Sequence, residues 1–95
     1  MNKEASELNA KVVADQIADI IKTMISRMSL EGRQKALPNI KKRLNDLNVN
    51  DMAQKKSPGG ASIGTSISIV KNILNGKDAF FIRMVMKELQ KKLVL

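Results

Sequence analysis

The chain contains no cysteine, no histidine, no tyrosine and no tryptophan, and only two phenylalanines. Without cysteine it forms neither a disulfide nor a thiolate metal site. Without histidine it lacks the commonest general base and the commonest metal ligand. Its glycine-rich segment "SPGG" lacks the spacing and the Lys-Ser/Thr end of a phosphate-binding loop. These absences predict a protein that is not an enzyme, holds no cofactor or metal and acts on no small-molecule substrate.

Long apolar runs are also missing. None approaches the roughly 18 residues that a membrane-spanning helix needs. The first twenty residues hold four acidic side chains, too many for a transit peptide, and no apolar block typical of a signal peptide. We therefore expect a cytoplasmic protein with no membrane partner, and 95 residues suit one small domain with a modest core.

Positive charge is abundant and unevenly placed. Residues 1–30 carry four basic and four acidic side chains, whereas residues 31–95 carry thirteen basic and five acidic ones. The whole net charge of +8 therefore lies after residue 30. Such an excess attracts polyanions, although it is also compatible with a merely soluble surface. The segregation favours a nucleic-acid-binding face, and the scarcity of aromatic residues favours duplex over single-stranded partners.

Residues 3–28 are predicted to form one long amphipathic helix, because apolar side chains recur there at three- to five-residue steps. This is more apolar surface than a lone helix should leave exposed. The helix should therefore pack either on the rest of the chain or on a second subunit, and the sequence leaves both open. For the second case, the predicted dimer interface is Leu8, Val12, Ile17, Ile20, Met24 and Met28.

Shorter helices are expected to follow. Ser29 has the chemistry of an N-cap, and Glu31 in the first turn favours the positive end of that helix. Pro38 is expected to interrupt this region and to hold Leu37 away from helical angles, so that a further helix runs from about 38 to 47. Asn50 is then predicted to cap a short helix in "DMAQKK".

The stretch "GTSISIVKNILNG", residues 64–76, is either a buried strand or a short helix. A strand would have no convincing partner in the chain, and its backbone would stay unsatisfied. A helix gives Ser66 the role of N-cap, places Val70, Ile73 and Leu74 on one inward face, and ends at Asn75-Gly76. The helical interpretation is therefore preferred.

The last predicted helix covers about 79–93. Asp78 is expected to cap it, and Phe81, Val85 and Leu89 form its apolar stripe at four-residue steps. With the preceding elements, this predicts an all-α fold: a small bundle of about five helices that includes the long N-terminal helix.

Several of these features occur together in an order that resembles a known motif. The residues are Gly64, Ser66, Val70, Ile73, Asn75 and Gly76. Their pattern resembles the helix-turn-helix of lambda-repressor-like and lac-repressor-like DNA-binding proteins. Upstream, "IKKRLNDLNVNDMAQKK" is similar to the family's first and scaffold helices, and "VMKELQKKL" is similar to its following helix. The resemblance covers about residues 38–93, with the helix-turn-helix at about 50–76.

One departure from the family lies in the turn. Ala53 and Gly64 are eleven residues apart, further than in the family, because the segment "SPGGASI" is inserted between them. This insertion (57–63) would lengthen the turn between scaffold and recognition helices. The alternative role for the insertion is a loop that reaches the phosphate backbone, with Lys55 and Lys56 at its base.

The resemblance implies which residues would contact DNA. Asn72 would bond to adenine, Lys71 to guanine or phosphate, and Ser68 to either a base or a phosphate. Ile67 would touch a thymine methyl, although core packing is favoured over base contact for it. The predicted phosphate contacts, which carry no sequence information, are Lys41, Lys42, Arg43, Lys55, Lys56 and Lys77.

Two functions follow as hypotheses. In the first, residues 1–30 are a possible dimerisation element and residues 31–95 a DNA-binding domain. The protein is then a sequence-specific transcriptional regulator that binds duplex DNA as a homodimer, with two recognition helices about one DNA turn apart. In the second, the protein is a helical interaction module, an adaptor or inhibitor without sequence-specific DNA binding, whose six methionines suit an adaptable partner surface.

Overall fold

The computed structural model describes residues 3–54 and 66–94, with side chains described from residue 7 onward. The described residues contain helices and no strand. In chain order the helices are α1 (Lys3–Ile25), α2 (Leu30–Asn45), α3 (Val49–Ala53), α4 (Ser66–Leu74) and α5 (Ala79–Lys92). The predicted all-α class with about five helices is confirmed.

The most extensive helix contact joins α1 to α5. The two helices run in the same direction, because Ala10 lies beside Met84 and Lys87, whereas Asp15 forms an ion pair with Lys92 further along. The buried side of α1 consists of small and β-branched residues at helical spacing, and small side chains allow two helix backbones to approach closely. These residues are Ala10, Ala14, Ile17, Ala18, Ile21 and Ile25.

This packing corrects the predicted apolar stripe of α1. Leu8 and Val12 are 63% and 47% exposed, so they lie away from α5, and Ile20 and Met28 are also exposed. Ile17 is completely buried within its own chain and is therefore removed from the predicted dimer interface. The helix ends at Ile25 rather than at residue 28. The inward face of α1 contains Ala10, Ala14 and Ala18. Alanine permits a neighbouring helix to approach closely, which larger side chains at those positions would prevent.

Helix α2 begins as expected and ends later than expected. The hydroxyl of Ser29 accepts a hydrogen bond from the backbone N–H of Gly32 at 3.1 Å, which confirms the cap. The predicted break at Pro38 is wrong, since α2 continues through it to Asn45. Pro38 is exposed, while Leu37 and Leu44 of the same helix are buried in the core. Their packing offsets the local cost of the proline.

Two short connections position α3, α4 and α5. The side chain of Asn48, rather than of Asn50 as predicted, caps α3 by accepting from the N–H of Asp51 at 3.1 Å. After α4, Gly76 adopts φ 81°, a conformation that favours glycine, and its N–H donates to the carbonyl of Met52 at 2.7 Å. This bond fastens the end of α4 to α3.

The N-cap of α5 is Asp78, as predicted. Its Oδ2 accepts from the N–H groups of Phe80 and Phe81 at 3.0 and 3.2 Å. The buried face of α5 is turned slightly from the predicted stripe: Phe81 is only half-buried, whereas Val85 and Leu89 are buried as expected. The fully buried residues of α5 and its C-cap are Ile82, Val85, Leu89 and Leu93.

One hydrophobic core includes residues from all five helices. To the faces of α1, α2 and α5 it adds Met52 from α3 and Val70 and Leu74 from α4. Burying a side chain of this size stabilises the folded state by about 1.5–3 kcal/mol before entropy costs. Helix α1 therefore shares its core with the rest of the chain rather than standing apart from it.

We expect Pro38→Ala to raise the free energy of unfolding by about 2 kcal/mol. The substitution restores a helical N–H inside α2, and this gain exceeds the loss of the proline's restraint on the unfolded chain. Urea denaturation followed by circular dichroism measures the change. Asn39→Ala, at the next exposed position, is the control and should give less than about 0.7 kcal/mol. A destabilised Pro38→Ala variant would contradict the continuous helix.

Candidate nucleic-acid interface

Helix α4 is the segment predicted to read bases, and much of its surface is covered. Val70 and Leu74 are buried and Ile73 is half-buried, so the predicted inward face is observed. Ser68 is only 6% exposed. Ile67 is half-buried and packs against the core. Helix α4 contacts α1, α2 and α3, and this enclosure removes Ser68 from the side chains that a base edge could reach.

The accessible part of the predicted reading set is near the end of α4. Asn72 is exposed and Lys71 is partly exposed. Helix α4 begins at Ser66, and Gly64 and the 57–63 insertion lie outside the described residues. Lys55 and Lys56 lie outside them as well. The site that α4 itself offers therefore consists of two neighbouring polar side chains, one a cation and one an amide.

The other predicted phosphate contacts are accessible. Lys42, Arg43 and Lys77 are exposed, and Lys41 is partly exposed. Within residues 3–54 and 66–94, none of these four cations forms an ion pair, whereas Lys35 pairs with Glu31 at 3.3 Å. Lys42 and Arg43 also occupy the last turn of α2, where cations favour the negative end of a helix.

Two cations that the sequence prediction omitted lie on the outer side of α5. Arg83 and Lys87 are exposed, are one helical turn apart and form no ion pair with any described residue. The side-chain Nε2 of Gln90 donates to the carbonyl of Lys41 at 2.9 Å, which places this side of α5 next to α2. The four-residue spacing of Arg83, Lys87 and Lys91 was the available signal. Lys41, Arg83 and Lys87 are therefore the cations of the surface where α2 and α5 meet.

The remaining cations of α5 are partly neutralised. Lys92 bonds to the carboxylate of Asp15 on α1, and this hydrogen bond raises the pKa of Lys92 because it stabilises the ammonium form. The charges of Asp15, Glu88 and Asp19 act in the same direction, while desolvation opposes them. The Nζ of Lys91 lies 3.8 Å from Oε1 of Glu88, so these two side chains form an ion pair. Positive charge without a partner is thus concentrated toward the α2 side of α5.

Other kinds of site have little support in the described residues. There, no group of three or more acidic residues is arranged to hold a metal ion. None of the described helices combines the length and the apolar character needed to cross a bilayer. The chain matches no known protein-family model, no curated protein and no solved structure. The charges and the shape of the protein's surface are therefore the guide to its function.

Two positions on α4 should respond differently to the same new charge. We expect Ser68→Lys to lower the free energy of unfolding by about 3 kcal/mol or more, because it forces an ammonium group into a packed position. Asn72→Lys, one turn further along, should change it by less than about 0.5 kcal/mol, because its side chain stays in water. Thermal and urea unfolding of both variants measure this difference. Equal effects would contradict the observed burial of Ser68.

Proposed function

We propose that the protein is a regulator that binds duplex DNA as a dimer, with most of its affinity coming from phosphate contacts. The observation that carries this proposal is a set of exposed cations on α2, α5 and the α4–α5 turn that form no ion pair with any described residue. Residues 1–30, by contrast, carry no net charge. An uncompensated cationic surface on one part of a small protein attracts and orients a polyanion, and release of counterions supplies the binding free energy.

Contacts to bases contribute less to the proposed duplex binding than the helix-turn-helix resemblance implies. Ser68 is buried and Ile67 packs against the core, so Lys71 and Asn72 are the remaining candidates on α4. Each bidentate contact to a base discriminates by about 1–3 kcal/mol. We therefore expect a modest preference among duplex sequences on top of strong, salt-dependent binding to all of them.

The dimer is supported by the solvent-facing side of α1. Leu8 and Val12 are one turn apart and both exposed, and Ile20 is exposed two turns further on. Met24 is half-buried. Since α5 covers the opposite side of α1, these apolar side chains are available to a second copy. Pairing through α1 would present two cationic surfaces to one duplex.

Duplex binding should depend on the cations named above. We expect the triple variant Lys42→Ala, Arg43→Ala, Lys77→Ala to bind a short duplex about tenfold or more weakly. The slope of log affinity against log salt should become shallower by about 3, since each lost phosphate contact removes about 0.9. Fluorescence anisotropy across a salt series measures both quantities.

The matched control is Lys11→Ala, Lys22→Ala, Arg27→Ala, which removes three exposed cations from the N-terminal part of the chain. It should leave the slope nearly unchanged, and an equal loss of affinity in both triple variants would show that binding is only non-specific electrostatic attraction.

In the same assay, Lys71→Ala with Asn72→Ala should flatten the preference among sequences selected from a random duplex pool. Absence of duplex binding at low salt by the unaltered protein would end the proposal.

Self-association should depend on the exposed side of α1. We expect the variant Leu8→Glu, Val12→Glu to sediment as a monomer at concentrations where the unaltered protein sediments as a dimer, because two charges would face each other across the apolar contact. Sedimentation velocity measures the mass, and circular dichroism checks the fold. Lys22→Glu, another exposed change on α1, should stay dimeric. A monomeric unaltered protein at every concentration would contradict the dimer.

A further inference from the structure

An open groove of about 350 Å³ lies between α2 and α5, and nothing in the proposed DNA binding requires its apolar lining. One wall is the end of α2 with the turn into α3, and the other is the outer side of α5. The apolar residues that line it are Leu44, Leu47, Val49 and Met86. Arg83 and Lys87 line it as well. Two cations therefore border an apolar surface, whereas a cluster of fully solvated charges would have no apolar lining.

The walls of the groove are held in place by the fold. Gln90 of α5 donates a hydrogen bond to the carbonyl of Lys41 on α2 at 2.9 Å, and Gln90 itself lines the groove. The start of α3 is fixed by the Asn48 cap, and its end by the bond from Gly76 to Met52. A ligand would therefore meet an already formed groove and would not have to order it first, which favours binding.

The charges at the groove have no partner among the described residues. Neither Arg83 nor Lys87 forms an ion pair with them. No acidic residue lines the groove among the described residues, and Glu88, which follows Lys87, pairs with Lys91 instead. The lining therefore has a net positive charge from these two side chains, and a negatively charged ligand complements it.

The apolar lining decides between negatively charged ligands. A phosphate backbone would gain from Arg83 and Lys87 but nothing from Met86, Val49 and Leu47, because its outer surface is polar and charged. A protein segment gains from both when large apolar side chains enter the groove and carboxylates flank them. Amphipathic helices dock in apolar grooves in this manner.

We propose that the α2–α5 groove docks an acidic amphipathic segment of another protein, with a large apolar side chain against Met86 and carboxylates against Arg83 and Lys87. This interaction does not depend on DNA binding or on the dimer. It adds a protein partner to the cationic surface, and the partner would compete with any duplex that uses the same two cations.

The full-length protein, immobilised, is the target for selection from a displayed library of random peptides. The expected result is enrichment of peptides in which aspartate or glutamate flanks leucine, isoleucine or phenylalanine. The enriched peptides should bind Lys87→Glu about tenfold or more weakly than the unaltered protein, and Met86→Gln should weaken them to a similar degree. Isothermal titration measures these affinities, and circular dichroism confirms that each variant is folded.

Lys91→Glu is the matched control, because it makes the same charge change one turn further along α5, outside the groove. It should change peptide affinity by less than about threefold. Enrichment of purely acidic peptides, or equal losses in Lys87→Glu and Lys91→Glu, would overturn the proposal by reducing it to general charge attraction. Unchanged peptide affinity in Met86→Gln would overturn it as well.

A duplex titration of the same variants separates this proposal from the proposed function. Duplex affinity should be insensitive to Met86→Gln, because phosphate groups gain no binding energy from an apolar lining. Loss of peptide binding in Met86→Gln with duplex binding retained supports the groove as a distinct protein site. A duplex that loses affinity in Met86→Gln as strongly as the peptide would assign the groove to nucleic acid and overturn the proposal.

Discussion

Close packing of α1 against α5 is the contact on which the rest of the fold depends. Ala10 lies beside Met84 and Lys87 of α5, and the other buried residues of α1, including Ala14, Ile17 and Ile21, belong to the same core. A chain of 95 residues has little other surface to bury. If α1 were removed, the fully buried Val85 and Leu89 of α5 would lose their most extensive neighbour.

This packing also decides which surfaces remain for function. Helix α5 meets α1 on one side and α2 and α3 on others, so only its outer side is left to solvent. Arg83 and Lys87 lie there, next to the end of α2, because Gln90 bonds to the backbone of Lys41. Cations that are far apart in the sequence are in this way brought to one surface. The same arrangement leaves the apolar lining between α2 and α5 accessible beside the charges.

Most features that depend on a single turn of chain were predicted correctly from the sequence, although the cap of α3 is Asn48 rather than Asn50. Ser29 and Asp78 cap helices because their side-chain oxygens reach N–H groups two or three residues later, and Gly76 ends α4 because it tolerates a positive φ. Features that depend on neighbouring helices were not. Pro38 does not break α2, and Ser68 is buried although it is polar, since the packing of other helices outweighs the local preference in both places.

The sequence by itself determined the helical class, the start of α2, the start of α5 and the concentration of positive charge after residue 30. It did so because capping, turn formation and net charge are set by residue type within a few positions. Only the tertiary structure decided that the alanines of α1, rather than Leu8 and Val12, face inward, and that Arg83 and Lys87 lie next to the end of α2. The physical reason is that burial depends on how closely two helices approach, and an amphipathic pattern that contains both alanine and larger apolar residues does not specify that distance.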